Sequence, residues 1–158
     1  MASATAPADS EGALKRVVGL LYTNLAISLV IAALTFALWN KVIDYQLAHL
    51  PGGAPADPAS ERHSLSLATW IAPVVIFAVS VLYVRIATQL KQGRRRTYIR
   101  VLVIAVAGMI GLAYPTLSGQ YPAWMRIGHA AQELVLLALL LSATRPAVRA
   151  RFSKPRVA

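Results

Sequence analysis

Four long apolar segments dominate this chain, and they restrict its fold more than any other feature. A helix needs about 20 mostly apolar residues to cross a hydrocarbon core about 30 Å thick. The connections between the later segments are short, which favours antiparallel neighbours. We therefore expect an all-α integral membrane protein, a four-transmembrane-helix bundle with up-down-up-down topology. The predicted spans are residues 17–39, 65–84, 99–117 and 123–143.

Composition supports this expectation and leaves no length for a separate soluble domain. Hydrophobic residues make up 57% of the 158 residues and charged residues 14%, whereas soluble domains average about 25% charged residues. We expect an N-terminal cytoplasmic tail at 1–14, a transmembrane domain at 15–144 and a basic cytoplasmic tail at 145–158. Prolines and basic residues in the last segment favour disorder at the membrane surface.

Prolines and glycines predict where helices end or bend. Residues 41–50 can continue the first helix into the interface until Pro51–Gly53 stops it, because proline lacks an amide donor and glycine frees the backbone. The following stretch, as far as Arg62, is expected to be an irregular loop. Pro73 is expected to kink the second span near its outer end.

The distribution of Lys and Arg predicts the orientation of the helices. Cytoplasmic loops of membrane proteins carry the excess of these residues. The N-terminal flank holds two, the connection between the second and third spans six, and the C-terminal tail five, so thirteen share one side. Only Lys41, Arg62 and Arg126 fall on the other side. We expect both termini in the cytoplasm, N-in and C-in.

Three ionisable residues lie on one stripe of the fourth span. At about 100° per residue, Arg126, His129 and Glu133 project from one narrow face of a helix. A charged group inside a membrane is a hypothesis for a functional site, since its insertion cost must be offset. Glu133 could bind a proton, a cation or a polar headgroup. Alternatively, Glu133 could stabilise the helix bundle by hydrogen bonds, or it could face the membrane helix of a partner subunit.

Other residues within the spans favour helix packing. Asn24 is expected to hydrogen-bond between helices, nearer the cytoplasmic side than Glu133 and without direct contact to it. Ala107 and Gly111 have the spacing of small residues that lets two membrane helices approach closely. These three residues are predicted to stabilise the fold.

The connection between the second and third spans is strongly basic. Its positive residues could bind anionic lipid headgroups, or an acidic surface of a partner, at about 1 kcal/mol per residue. The alternative is that they only determine topology, as basic loops do in any such protein. Their position at the ends of apolar segments also argues against nucleic acid as the partner of a chain with net charge +10. The residues are Lys91, Arg94, Arg95, Arg96 and Arg100.

Sequence motifs of enzymes and of cofactor sites are absent. The chain has no cysteine, which excludes disulfides, thiolate metal sites and thiol nucleophiles. A haem with two axial histidines is excluded because His129 is the only histidine within a span. A loose outer cluster lacks the spacing of metal ligands. It comprises Asp44, His49, Asp57, Glu61 and His63. We expect no enzyme activity, no metal and no cofactor.

The segment from Leu90 to Leu102, in which a helix ends in a Gly-Arg turn and restarts at an Arg, resembles small four-helix membrane proteins of actinobacteria. The resemblance implies a bacterial inner membrane and an accessory role. Small multidrug exporters are similar in helix count, but their membrane glutamate lies in the first helix. We expect an accessory or stabilising subunit of a larger membrane complex, for example a lipid importer or a respiratory assembly. The alternative is a small transporter or proton-coupled carrier that uses Glu133.

Overall fold

The computed structural model describes the backbone of residues 6–53, 55–92 and 95–153. Within these ranges the side chains at 6–10, 68–69, 72–74, 76–77, 91, 147, 150–151 and 153 are not described. The described residues form six α-helices and no strand, which confirms the all-α prediction. The helices are α1 Ala6–Ala37, α2 Trp39–Ala48, α3 Pro58–Lys91, α4 Arg95–Leu117, α5 Ala123–Ala143 and α6 Pro146–Ser153.

Three of these helices contain segments long and apolar enough to cross a membrane, Glu11–Ala37, Arg95–Leu117 and Ala123–Ala143. They correspond to the first, third and fourth predicted spans. The second predicted span lies inside α3, where the described apolar part is the shorter segment Ala78–Leu90. Several side chains of α3 lie outside the described residues, Pro73 among them. Four crossings and the kink at Pro73 stay predictions.

The first predicted helix does not continue unbroken into the interface. The backbone of Leu38, with φ −106° and ψ 21°, separates α1 from α2. The second helix then runs to Ala48 and buries Val42 and Ile43 against the molecule. The turn that follows uses positive φ angles at Gly52 and Gly53, which glycine adopts without steric cost.

The start of α3 lies earlier than the sequence suggested. The loop predicted as far as Arg62 already ends at Asp57, whose Oδ1 accepts from the amides of Ala59 at 3.1 Å and Ser60 at 3.3 Å. A carboxylate at this position satisfies amides that have no partner in the first helical turn. Proline is also favourable at the first helical position, which Pro58 occupies. The predicted loop boundary was therefore wrong by one helical turn.

Contacts between side chains show how the long helices pack. Asn24 meets Tyr83 between α1 and α3, and Phe36 meets Trp70 near their other ends, so these two helices are antiparallel. The hydroxyl of Tyr98, at the start of α4, bonds to the carbonyl of Ala143, at the end of α5. The helices α4 and α5 are therefore antiparallel, and so are α1 and α5. The main buried core comprises Leu14, Val17, Val18, Leu21, Tyr83, Ile86, Ala87, Leu90, Val101, Ala105, Leu136, Leu139, Ala143, Val148 and Phe152.

Two glycines allow the closest approaches between helices. A Cβ at Gly108 of α4 would lie 2.9 Å from Leu136 of α5, and a Cβ at Gly128 of α5 would lie 2.8 Å from Ile31 of α1. The predicted packing residues Ala107 and Gly111 are instead exposed, and a Cβ at Gly111 would meet no described atom within 4 Å. Both residues therefore lie on the outer face of α4, and their role in helix packing stays a prediction.

The C-terminal segment is a helix where the sequence suggested disorder. Residues Pro146–Ser153 form α6, and Val148 and Phe152 are buried in the main core beside Leu14 and Val17 of α1. Phe152 also stacks on Tyr98 with ring centroids 5.0 Å apart. Burial of these apolar side chains offsets the ordering cost of a short basic segment. Residues 1–5 and 154–158 of the predicted tails lie outside the described residues.

Candidate functional site

The end of α4 is closed by a side chain from α5. Arg126 Nε donates to the backbone carbonyl of Thr116 at 3.1 Å, one residue before α4 ends at Leu117. The last four carbonyls of a helix have no amide partner within that helix, and a cation near them also interacts favourably with the helix dipole. Arg126 therefore caps the C-terminus of its neighbour.

Glu133 contacts the same threonine. The Thr116 hydroxyl lies 3.2 Å from Glu133 Oε1 and 2.8 Å from the carbonyl of Leu112. In the described part of the chain, no ion pair joins Glu133 to Arg126 or to His129. The structure thus links Glu133 to Arg126 through Thr116, and it does not link Glu133 to His129.

His129 belongs to a different set of hydrogen bonds. Its Nδ1 lies 3.2 Å from Gln132 Oε1, and Gln132 Nε2 donates to the hydroxyl of Ser28 on α1. Ser28 donates to the backbone carbonyl of Asn24 at 3.0 Å. The Asn24 amide donates to the hydroxyl of Tyr83 on α3 at 3.2 Å. We call these five residues the polar seam, because they connect α5, α1 and α3.

The direction of each hydrogen bond in the polar seam follows from the donors available. Ser28 has one hydroxyl hydrogen, which goes to the Asn24 carbonyl, so the Ser28 oxygen accepts from Gln132. The amide nitrogen of Gln132 therefore faces Ser28, and its oxygen faces His129. An acceptor opposite Nδ1 assigns the hydrogen of a neutral imidazole to that nitrogen. His129 thus donates to the polar seam through Nδ1.

A small cavity borders the polar seam between α1 and α3. Its volume is about 90 Å³, and its polar lining comes from Asn24, Ser28, Ser80 and Tyr83. Asn24 is only 5% exposed, and its Oδ1 has no hydrogen-bond partner among the described residues. A buried water needs two to four polar partners, which these side chains can supply. The cavity has the size and chemistry of a site for a bound water.

The predicted stripe lies beside the buried face of α5 and not on it. Arg126, His129 and Glu133 are all half-buried. At about 100° per residue, the buried face is centred about 80° away from the stripe, toward α1. The buried side chains on that face include Met125, Gln132, Leu136 and Leu139. The stripe therefore borders the contact with α4, which explains why Arg126 and Glu133 both reach Thr116.

Sequence reasoning did not identify Gln132, Ser28, Thr116 or Tyr83 as members of these networks. A signal for Gln132 was present, because it shares a helical face with the apolar residues Leu136 and Leu139. No local signal marks Thr116. Its role depends on the start of α5 lying against the end of α4, which only the tertiary structure supplies.

The basic connection between α3 and α4 is described in part. Arg95, Arg96 and Arg100 are exposed on the first turns of α4. Arg94 lies outside the described residues, as does the side chain of Lys91. Arg95 lines a pocket at this end of the molecule, whereas Arg96 and Arg100 do not. Of the three described residues in this predicted group, only Arg95 therefore lines the pocket, and lipid binding by the group stays a prediction.

The outer cluster of acidic residues and histidines is spread among separate contacts. Asp44 of α2 pairs with Arg62 of α3 at 2.6 Å, Asp57 caps α3, and His49 stacks on Tyr45 with ring centroids 4.0 Å apart. Across residues 6–53, 55–92 and 95–153, no three His, Cys, Asp or Glu residues are grouped closely enough to hold a metal ion.

No family model, no curated protein and no solved structure matches this chain. The resemblance of residues 90–102 to small actinobacterial membrane proteins stays a prediction.

Proposed function

We propose that the chain is a multi-pass membrane protein with four crossings, in which α3 supplies the second. The support is its outer surface. Large apolar side chains are exposed along the three apolar helices, for example Val30 on α1, Ile110 on α4 and Leu134 on α5. Soluble proteins rarely expose contiguous apolar surface of this extent. The hydrocarbon tails of lipids are the surroundings that such an apolar surface favours.

The two ends of the helices differ in chemistry as membrane interfaces do. Antiparallel packing gathers aromatic residues at the end of α1, the start of α3 and the connection from α4 to α5, where Trp39 lies 5.3 Å from Trp70 and Tyr114 bonds to Gln120. Burial raises the pKa of the Tyr121 phenol, and Tyr114 adds a smaller rise, so Tyr121 stays neutral at this end. Amphipathic rings favour interfaces.

The opposite end carries the basic residues. The same packing brings together the start of α1, the end of α3, the start of α4 and the end of α5, and with them most of the Lys and Arg of the chain. This arrangement supports N-in and C-in orientation, because positive charge is retained on the cytoplasmic side. The described basic residues at this end are Lys15, Arg16, Arg85, Arg95, Arg96, Arg100, Arg145 and Arg149.

Single cysteines test the four crossings without interference, since the chain has none of its own. In spheroplasts, an impermeant maleimide is expected to label Ser60→Cys and Gly119→Cys directly. Gln92→Cys and Thr144→Cys should react only after lysis. All four positions are at helix ends or connections. Direct labelling of Gln92→Cys would remove the second crossing from the proposal.

Within the membrane, we infer an accessory or stabilising role in a larger assembly. One observation supports it above all, an exposed small-residue face on α4. Ala107 and Gly111 lie on the outside of the helix, flanked by the exposed residues Val103 and Ile110. Small residues let the backbone of a second membrane helix approach closely. Arg126 and Glu133 of α5 already contact Thr116 inside the chain, so the proposal places the partner helix on this exposed face of α4.

Native co-purification with mass spectrometry tests the accessory role. The protein is expected to bring down specific membrane subunits at endogenous expression, and Gly111→Ile should abolish their recovery by blocking close approach. Gly19→Ile is the matched control, since Gly19 is also exposed and a Cβ there meets nothing within 4 Å. Migration of the wild type as a monomer with nothing co-purifying would contradict the proposal.

A second candidate function, a proton-coupled carrier, is favoured by one detail. The Thr116 hydroxyl has a single hydrogen and two oxygen neighbours, the Leu112 carbonyl and Glu133 Oε1. If the hydrogen goes to Leu112, a protonated Glu133 can donate to the Thr116 oxygen. If it goes to Glu133, the carboxylate accepts it in its charged form. One geometry therefore serves both protonation states.

A further inference from the structure

A pocket of about 400 Å³ opens at the basic end of the molecule, between the start of α4, the end of α5 and α6. Pockets that bind small molecules typically have volumes of roughly 300–1,000 Å³. Arg95 of α4 and Arg149 of α6 lie in its wall, and both are exposed. Two guanidinium groups, each with several donors, can bind phosphate oxygens by charge-assisted hydrogen bonds.

Nothing in the described surroundings neutralises these two arginines. Neither forms an ion pair with a described carboxylate. The chain has no acidic residue between Glu61 and Glu133, and none after Glu133. At this end of α1, Glu11 pairs with Lys15 at 3.0 Å and does not line the pocket. The pocket is therefore complementary to an anion.

Apart from the hydroxyl groups of Thr144 and Tyr98, the rest of the pocket lining is apolar, and part of it extends along α4. Ile99 and Leu102 line the pocket, about 6 Å and about 10 Å beyond Arg95 along the helix axis. The stacked rings of Tyr98 and Phe152 form another part of its wall. A ligand that fits must therefore carry a negatively charged group at one end and an apolar group next to it.

The pocket forms only when α6 packs against the rest of the molecule, because part of its wall belongs to α6. Phe152 is 4% exposed because its ring packs on Tyr98, and Tyr98 is itself fixed by its hydroxyl bond to the Ala143 carbonyl at 3.2 Å. These contacts hold α6 against α4, so that Arg149 and Arg95 line the same pocket. A flexible basic tail would not keep Arg149 at the pocket that Arg95 lines.

We propose that this pocket binds the phosphate headgroup of an anionic phospholipid, with Arg95 and Arg149 on the phosphate and Ile99 and Leu102 against the glycerol and the first acyl carbons. The proposal rests on the proposed membrane location. The basic end of the helices lies at the membrane surface in that arrangement, and the apolar part of the pocket runs toward the bilayer interior. Binding is therefore expected at this one site rather than over the whole basic surface.

Full-length protein purified from membranes in a neutral detergent tests the site by native mass spectrometry. Dioleoyl phosphatidylglycerol is titrated against dioleoyl phosphatidylcholine. Arg95→Gln with Arg149→Gln should weaken phosphatidylglycerol binding roughly 30-fold, as expected for removal of two basic contacts. Arg16→Gln with Arg85→Gln is the matched control, because both residues are exposed and lie outside the pocket. It should change binding less than about threefold.

A second variant fills the pocket without changing charge. Ile99→Trp should reduce phosphatidylglycerol binding as the arginine pair does, because the indole occupies the apolar part of the pocket. Equal losses in the pocket pair and in the control pair would overturn the proposal in favour of general attraction to positive charge. Equal binding of the two lipids would also overturn it. So would full competition by millimolar glycerol 3-phosphate, which would identify a soluble phosphate as the ligand.

The proposed membrane location and the proposed lipid pocket can be disproved independently of each other. If the wild type is absent from the membrane fraction, the proposed membrane function is wrong. If it is present there and its lipid binding is unaffected by the pocket variants, only the pocket proposal is wrong.

Discussion

Arg126 Nε of α5 lies 3.1 Å from the backbone oxygen of Thr116 at the end of α4. At the opposite end of the same helix pair, the Tyr98 hydroxyl of α4 lies 3.2 Å from the backbone oxygen of Ala143 at the end of α5. Each helix thus supplies a donor for a terminal carbonyl of the other. Terminal carbonyls need such partners most where water is scarce. This exchange fixes how the two helices are aligned along their length.

Arg126→Met removes one half of this exchange and keeps most of the side chain's length. We expect the free energy of unfolding in mixed micelles to fall by about 1.5–3 kcal/mol, the usual contribution of a hydrogen bond that involves a charged group. Arg100→Met is the control, since Arg100 is exposed on α4; it should cost less than about 0.5 kcal/mol. Equal effects of the two substitutions would show that the cap contributes nothing.

The polar seam predicts a coupling between α5 and α1. Gln132→Leu leaves His129 Nδ1 without its acceptor and Ser28 without its donor. We expect a loss of about 1 kcal/mol, within the range found for hydrogen bonds between membrane helices. The measurement is equilibrium unfolding in mixed micelles, with Gln92→Leu as an exposed control.

A double-mutant cycle isolates that contact from general loss of packing. Gln132→Leu and Ser28→Ala should be less than additive, with a coupling free energy of about 0.5–1.5 kcal/mol. Strict additivity would mean that the two side chains do not interact. Thr23→Ala in place of Ser28→Ala gives a reference, because Thr23 is exposed on the same helix.

Helix content was predictable because it depends on local patterns that the sequence contains. Val17 to Ala37 is apolar over a length that only a helix accommodates in lipid, and α1 covers it. The break at Leu38 and the early start of α3 were not predicted. Leu38 has no proline or glycine beside it to mark the break. Asp57 followed by Pro58 is a recognisable start signal, but the glycine-rich stretch before it favoured a longer loop.

The residues of the candidate site were predictable only where one helix defines them. The stripe of Arg126, His129 and Glu133 follows from helical geometry, and α5 places all three on one side. The partner of Arg126 and Glu133 was not predictable, because Thr116 belongs to α4 and meets α5 only after packing. Ser28 of α1 likewise meets Gln132 only after packing. Gly108, one residue from the predicted Ala107, makes the close contact with α5. A small-residue spacing identifies a face that permits contact, and the rotation of the helix decides which face is used.

An added methyl group is therefore expected to affect stability differently at Gly128 of α5 and at Gly111 of α4. Gly128→Ala places Cβ 2.8 Å and 3.1 Å from two atoms of the buried Ile31, so we expect destabilisation of about 1 kcal/mol. Gly111→Ala meets nothing and should be neutral or stabilise by up to about 1 kcal/mol through helix propensity. Thermal unfolding of the two variants side by side measures the difference. A reversed order would show that Gly128 is not at a close helix contact.

Glu133 separates the two candidate functions most directly. If the carboxyl group only bonds to Thr116, Glu133→Gln keeps an oxygen at the same place and should cost less than about 0.5 kcal/mol, whereas Glu133→Leu should cost about 1 kcal/mol. If Glu133 couples transport, Glu133→Gln abolishes proton flux in reconstituted vesicles while leaving stability unchanged. We expect equal flux in the wild type and in Glu133→Gln, measured with a pH-sensitive dye trapped inside. Gln120→Glu supplies a control carboxyl group outside the helices. A flux present in the wild type and absent only in Glu133→Gln would overturn the accessory role in favour of a carrier.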